Sequence, residues 1–483
     1  MRFSFGSLVA GALLLPTSVL AQHFSTVAAY SVGGIGSNPR GVAISDFNQD
    51  GYLDVATANF SDATAGVLLN QGQGTFSPIV RYPLGSGHNP HDVAAGDVNQ
   101  DGYPDLVLTE YISNQVGVLL NQRDGTFAPV VQYTLGGTQY AESLVVTDIN
   151  HDHYPDVLTA NLGSGTLQVL LNQGNGTLRL GDSYAVAPSP AFISLTTGDF
   201  NHDGEPDLAV ASFNNLSATV QVLLNQRSGH FTLGRTYALG AGRQPYGLAA
   251  GDVTRDGYPD LVVGDLAGNA FLVLGNQQDG TFSPAVAYAT GAGSQPFAVA
   301  LSDIDSDGWV EVVTSHIGAN TLGVWLNQPT GPLLPGGRWA TGPNSEPSRL
   351  ATGDLNQDGR PDLVVANSAS GTIGVLLSAS VLATQPSADL AQAQATVFPN
   401  PTAGPLVLTV TGLPAGARRL DGMLLDATGR AAASFSWAAV PGQLQGTLAT
   451  ASLVPGLYML RLSVLNAQGT LVETLSTQRL NLY

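Results

Sequence analysis

Oxygen donors recur along this chain at a nearly fixed interval. Asp46-x-Asn48-x-Asp50-Gly51-x-x-Asp54 places four oxygen-bearing side chains at positions 1, 3, 5 and 9 of a nine-residue loop. The same positions hold Asp97, Asn99, Asp101 and Asp105; Asp148, Asn150, Asp152 and Asp156; Asp199, Asn201, Asp203 and Asp207. They continue as Asp252, Thr254, Asp256 and Asp260; Asp303, Asp305, Asp307 and Glu311; Asp354, Asn356, Asp358 and Asp362. Successive loops start 51 residues apart, with one step of 53. Such a donor set suits a hard divalent cation. Four side chains, the backbone carbonyl of position 7 and one or two waters supply the six to eight oxygens that calcium takes. Magnesium keeps more of its own water, and zinc prefers His or Cys. His151, His153 and His202 lie inside loops but away from the four ligand positions, so they are expected to bind no metal.

These loops are not EF-hands. Position 12, where an EF-hand closes its site with Glu, is Thr57, Leu108, Thr159, Val210, Val263, Thr314 and Val365, all strand-type residues. Each loop therefore reads as a β-hairpin connection closed by position 9. Gly at position 6 in six of the seven loops fits a turn residue with φ > 0. Loop three carries His153 there, and loop five has Thr254 at position 3, a weaker ligand. Loop six is the most acidic of the seven. The expected ranking puts loop six among the tightest and loops three and five weakest. Up to seven calcium ions are expected, with a structural role. A millimolar site in tenfold calcium excess contributes about 1.4 kcal/mol, and seven such sites about 10 kcal/mol.

The composition agrees with this chemistry. The chain has 483 residues, no cysteine, no lysine and a formal charge of −19. The ligand positions hold 22 of the 36 carboxylates. Seven divalent ions carry fourteen positive charges and would bring −19 to −5. The negative balance argues against nucleic acid or an anionic membrane as partner. Arg2, the apolar run Leu8–Leu15 and Val19-Leu20-Ala21 read as a signal peptide over residues 1–21, too short to span a bilayer. An exported chain without cysteine has no disulfides, which leaves metal as the available clamp.

The elements that must position the loops follow from the repeat. In the second unit His91–Ala95, Leu106–Thr109, Gly117–Leu120 and Thr126–Leu135 read as four strands joined by short turns. Four strands repeated at roughly 50 residues predict one propeller blade per repeat. A large residue precedes an aromatic by six positions in the fourth strand, as in Phe76/Tyr82, Phe127/Tyr133 and Phe282/Tyr288. The seventh unit lacks this strand, whereas residues 24–33 carry the same spacing in Phe24 and Tyr30. The expected fold is all-β: a seven-bladed β-propeller over residues 22–378, with the N-terminal strand closing the last blade. Residues 379–395, rich in Ala, Gln and Ser, read as a flexible linker, and 396–483 as a small β-sandwich.

Gly96-Asp97-Val98-Asn99-Gln100-Asp101-Gly102-Tyr103-Pro104-Asp105-Leu106 resembles the FG-GAP/VCBS repeat of integrin α-subunit propellers and bacterial secreted proteins. The resemblance covers residues 24–378. It implies calcium between the first and second strand of each blade, held by positions 1, 3, 5 and 9. Phe398-Pro399-Asn400-Pro401, Leu425-Asp426-Ala427-Thr428-Gly429-Arg430 and Pro455–Leu462 resemble a type IX secretion sorting domain. That resemblance implies the type IX machinery as a partner, export across a Gram-negative outer membrane, and a secreted or surface-attached product.

Strand alternation puts the acidic loops on one face and the inter-blade loops on the other. The second face carries residues that differ from blade to blade: Arg40, His91, Tyr111, Tyr140, Tyr246, Phe297 and His316, with Phe60, Glu142, Phe192 and Arg243. Aromatics mixed with charge suit a sugar or peptide. The expected function is a monomeric, extracellular calcium-binding module for a glycan or protein. The alternative is a propeller-based polysaccharide lyase or hydrolase, with Glu110, Glu142, His91 and His316 as acid–base candidates. No nucleophile motif or phosphate loop is visible, so no catalytic residue is assigned.

Overall fold

The computed structural model describes residues 24–378 apart from 137–139, 188–191, 215–216 and 330. Beyond them it describes residues 394–398, 406–413, 419–425, 431–438, 442–448, 453, 456–465 and 471–482. The signal-peptide reading and most of the linker reading lie outside the described residues. So do Pro399–Pro401, Asp426–Arg430 and Pro455 of the sorting-domain motifs. The chain divides into two compact units, Met1–Ser380 and Val381–Tyr483.

Every described element is a strand, and the first unit contains seven four-stranded antiparallel sheets. The first sheet is built from Pro39–Ser45, Asp54–Asn59, Thr64–Leu68 and Val80–Pro83. The second strands, such as Asp105–Glu110, are buried throughout because neighbouring sheets cover both of their faces. The fourth strands alternate and are largely exposed, as expected of an edge. In the second sheet the fourth strand is Val131–Thr134, shorter than the sequence suggested. Pro129 has no N–H to give to the ladder, and upstream only Phe127 bridges back, to Asn121.

The seventh sheet joins both ends of the unit. Ala28–Ser31 pairs antiparallel with Thr372–Val375, beside Asp362–Asn367 and Pro347–Gly353. Phe24 bridges Ser378. First strands pack against first strands in succession, and Pro347–Gly353 returns to Pro39–Ser45, so the sheets close around an axis. The six-residue aromatic spacing has a packing reason. Tyr30, Tyr82, Tyr184 and Tyr237 each meet the large residue of the next sheet edge-on: Phe76, Phe127, Phe231 and Phe282, at 5.3–5.8 Å between ring centres. Trp339 of the sixth sheet meets Phe24 of the seventh in the same way, at 5.1 Å. Each such pair adds about 0.5–1.5 kcal/mol beyond the area it buries. This repeated four-strand architecture is a β-propeller.

The second unit holds a three-stranded and a four-stranded sheet. The first begins at Gln394–Phe398, two residues before the expected start of the sandwich. Leu408, Val410, Leu420, Leu424 and Leu460 are buried in this unit.

Candidate functional site

The seven acidic loops share one backbone. Position 4 has positive φ in all of them (Gln49, Gln100, His151, His202, Arg255, Ser306, Gln357), as does position 6. His153 takes the glycine conformation at φ 74°, so loop three keeps its shape and carries the strain of a side chain there. Position 1 organises the turn: Asp46 accepts from the N–H groups of Asp50 and Gly51 at 3.1 and 2.8 Å. Asn48 and Asp50 accept from Asp50 and Tyr52.

Position 9 is fully buried and does a second job. Asp54 accepts from Phe47 N–H at 2.9 Å and from Asn70 N–H at 2.7 Å, which ties the loop to the turn between strands three and four. Asp105, Asp156 and Asp207 repeat the arrangement with Asn121, Asn172 and Asn225. Those asparagines then reach the preceding sheet: the Asn121 amide donates to Phe47 O at 2.8 Å and that of Asn172 to Val98 O at 2.8 Å. In loop five, Thr254 N–H replaces the position-2 donor, a local departure at the residue expected to weaken that site.

Burial, with the neighbouring aspartates adding to it, pushes Asp54, Asp105, Asp156, Asp207 and Asp362 up to about 6, and Glu311 to about 7. A divalent cation among positions 1, 3, 5 and 9 would neutralise this crowding of charge, and an all-oxygen set fits calcium. Among the described residues, the trio Asp303, Asp305 and Glu311 of loop six brings one oxygen from each residue within 4.8 Å of the others.

Position 4 links each loop to the next. Gln49 donates to Gly102 O at 2.6 Å, Gln100 to His153 O, and Gln357 to Gly51 O at 2.8 Å across the closure. His151 meets Glu205 at 2.8 Å, His202 stacks on Tyr258 at 4.0 Å, and Arg255 lies over Trp309 at 4.9 Å. The loop histidines thus serve these contacts and not the ligand positions.

At the other end of the first strands, roughly 20 Å away at about 3.3 Å per residue, lies a pocket of about 300 Å³. Its lining includes Arg40, His91, Glu142, Tyr246, Phe297 and Ser348, each the second residue of a first strand. Asn38, Ile317, Glu346 and Ser368 complete it. Four residues just before first strands, Asn38, Tyr140, Gln295 and Glu346, hold left-handed backbone at φ 48–53°, strain of the kind that gathers at functional sites.

The pocket is polar on one side and aromatic on the other. His91 Nδ1 faces Glu142 O at 2.9 Å and must donate, so Nε2 accepts from Arg40 Nη1 at 2.9 Å. Burial, reinforced by Arg349 and Arg40, holds the His91 ring neutral, well below its usual range. The Arg40 guanidinium also lies 4.3 Å from the Phe60 ring centre. Arg349 crosses from the seventh sheet to pair with Asp92 of the second at 3.2 Å and to donate to Glu142 O of the third at 3.2 Å. On the opposite side Tyr246 and Phe297 stack at 4.8 Å. Burial, with Glu142 nearby, raises the Tyr246 phenol to about 12.

Among the residues the sequence singled out, Arg40, His91, Tyr246 and Phe297 come together here. Tyr111 stacks on His91 at 5.5 Å and Tyr140 on Tyr111 at 5.3 Å, so these two extend the aromatic surface outward. His316 does not join them. It is fully buried inside the sixth sheet, between the Thr314 and Thr321 hydroxyls at 2.7 and 3.0 Å and edge-on to Trp325. A residue at the very end of a second strand faces the sheet interior as readily as the loop. Glu110 is likewise committed, accepting from Ser113 and Gln132 and facing His88 at 2.6 Å. Sequence reasoning missed Asp92 and Arg349. Both follow the second strand position by one residue, and the Pro39, Pro90 and Pro347 register marks where to look.

Comparison with known proteins agrees with this architecture. The FG-GAP-like repeat matches residues 46–108, 99–159, 154–210, 201–263, 253–314 and 303–365. The chain is thus a β-propeller protein, and it belongs to the FG-GAP-like repeat family. Human integrin alpha-7 is 32% identical over 278 residues, half of this chain and 23% of the integrin. The human T-cell immunomodulatory protein is 24% identical over 385 residues, 76% of this chain and 56% of that protein. The chain therefore spans only a part of the curated relatives it matches. Among solved structures, an Agrocybe aegerita lectin specific for non-reducing terminal N-acetylglucosamine is 17% identical with a TM-score of 0.46, over 70% of this chain and 87% of that one.

Proposed function

We propose that this chain is an extracellular, calcium-stabilised, seven-bladed propeller that binds a glycan or protein ligand in the pocket at the mouth of its central channel. Each four-stranded sheet is one blade, and the seven acidic loops each hold one calcium ion. The observation that carries the reading is a contrast between the two faces. The acidic loops repeat almost unchanged from blade to blade, whereas the second residue of the first strand runs Arg40, His91, Glu142, Ile193, Tyr246, Phe297 and Ser348. Repeats that keep their scaffold and diversify one ring of side chains have a recognition surface there. The enzymatic alternative has less support, because His91 has both ring nitrogens engaged and Glu110 is buried among its own donors.

The second unit is read as a β-sandwich sorting domain for type IX export, leaving the propeller free or on the outer surface of a Gram-negative cell. Binding to glycan and extracellular-protein arrays tests the main reading. Wild type is expected to bind in millimolar calcium, to lose binding in EGTA, and to lose it in Glu142→Gln. Retention of array binding by pocket variants would move the ligand site elsewhere.

A further inference from the structure

We infer that the ligand of the central pocket is the end of a neutral glycan, a single uncharged pyranose ring seated between the aromatic wall and the arginine–carboxylate wall. The inference rests on the pocket being the ligand site.

Three observations point to this class. The cations are already engaged: Arg349 pairs with Asp92 at 3.2 Å, and Arg40 donates to His91 Nε2 at 2.9 Å and lies 4.3 Å from the Phe60 ring centre. With Glu346 also lining the pocket, carboxylates there outnumber guanidinium groups, so a phosphate, sulfate or uronate meets net repulsion. The walls also differ in kind. Tyr246 and Phe297 form a stacked, half-buried platform, which suits the C–H face of a pyranose. Across from it Arg40 and Glu142 present polar atoms to the hydroxyl edge. Finally, about 300 Å³ is the lower bound of small-molecule pockets, roughly 300–1,000 Å³. Next to Ser348 in the chain, Arg349 reaches from the seventh sheet to the second and third. A cup of this size takes a chain end and not a run of internal units.

The test uses the full chain in millimolar calcium at neutral pH. Methyl glucopyranoside, methyl galactopyranoside, the methyl glycoside of N-acetylglucosamine, and glucuronic acid are titrated by calorimetry and saturation-transfer NMR. At least one neutral glycoside is expected to bind, with glucuronic acid about fivefold or more weaker than methyl glucopyranoside if that is the one bound, and undetected otherwise. Phe297→Leu, which keeps bulk but removes the ring, should weaken the neutral glycoside about fivefold. Arg179→Gln, on the exposed fourth strand of the third sheet and away from the pocket lining, serves as the second variant and should retain binding within about twofold. Tighter binding of glucuronic acid overturns the neutral-sugar inference and leaves the pocket as the ligand site. The same holds if no glycoside binds while an array ligand is still lost in Glu142→Gln. Glycoside binding that Phe297→Leu and Glu142→Gln both leave unchanged overturns the pocket reading itself.

Discussion

His316 and His153 show how much one side chain can carry in a repeated fold. Burial, with Arg338 nearby, lowers His316 to about 4 from 6.5. The folded state therefore favours the neutral ring. Its stabilising contribution is complete above pH 6.5, shrinks as pH falls towards about 4, and is gone below that; the full span is roughly 3 kcal/mol. Urea unfolding at pH 7 and pH 4.5 should show wild type losing roughly 2 kcal/mol more than His316→Gln over that interval. An equal loss would mean that the ring is not held neutral. His153 offers the reverse case, since its φ of 74° suits glycine. His153→Gly should raise stability by about 1 kcal/mol and tighten calcium at loop three alone, read as a rise in Tm and one altered calorimetric step.

At the scale of elements, the clamps between blades decide what a substitution costs. Arg349 holds the second, third and seventh sheets together through Asp92 and Glu142 O. Arg349→Met strands a buried carboxylate and should cost about 3–5 kcal/mol, whereas adding Asp92→Asn should recover much of the loss. Chemical denaturation of the two variants checks this, and no recovery in the double variant would mean that the ion pair is not the source. The strands and acidic loops were legible in the sequence because period, turn residues and ligand spacing are local signals. The partners of Arg349 were not, because the pairing crosses the axis between residues more than 200 positions apart. The Asn-Gln turns read as hairpins; that Asn121 also ties its blade to Phe47 of the preceding one depends on how sheets stack. His316 was misplaced for a related reason. Its strand position was right, but the side on which Thr314, Thr321 and Trp325 enclose it is set by tertiary packing.

For the molecule as a whole, the seven acidic loops and the closing strand act on one closed array of sheets. Removing calcium with EGTA should lower Tm, and adding it back should restore it, with the loss spread over loops that touch through Gln49, Gln100, His151, His202, Arg255 and Gln357. An unchanged Tm would show that the loops hold their shape without metal. The pairing of Ala28–Ser31 with Thr372–Val375 also sets a timetable for biogenesis. Ala28–Ser31 leaves the ribosome well before its partner, which is made more than 300 residues later. Bringing such distant segments together costs on the order of 5 kcal/mol in chain entropy, recovered only when the final blade assembles. Until then Ala28–Ser31 is a lone strand and the sheet it completes is unfinished. A holdase that shields residues 24–31 during synthesis and export would protect the chain when it is most exposed to wrong pairing.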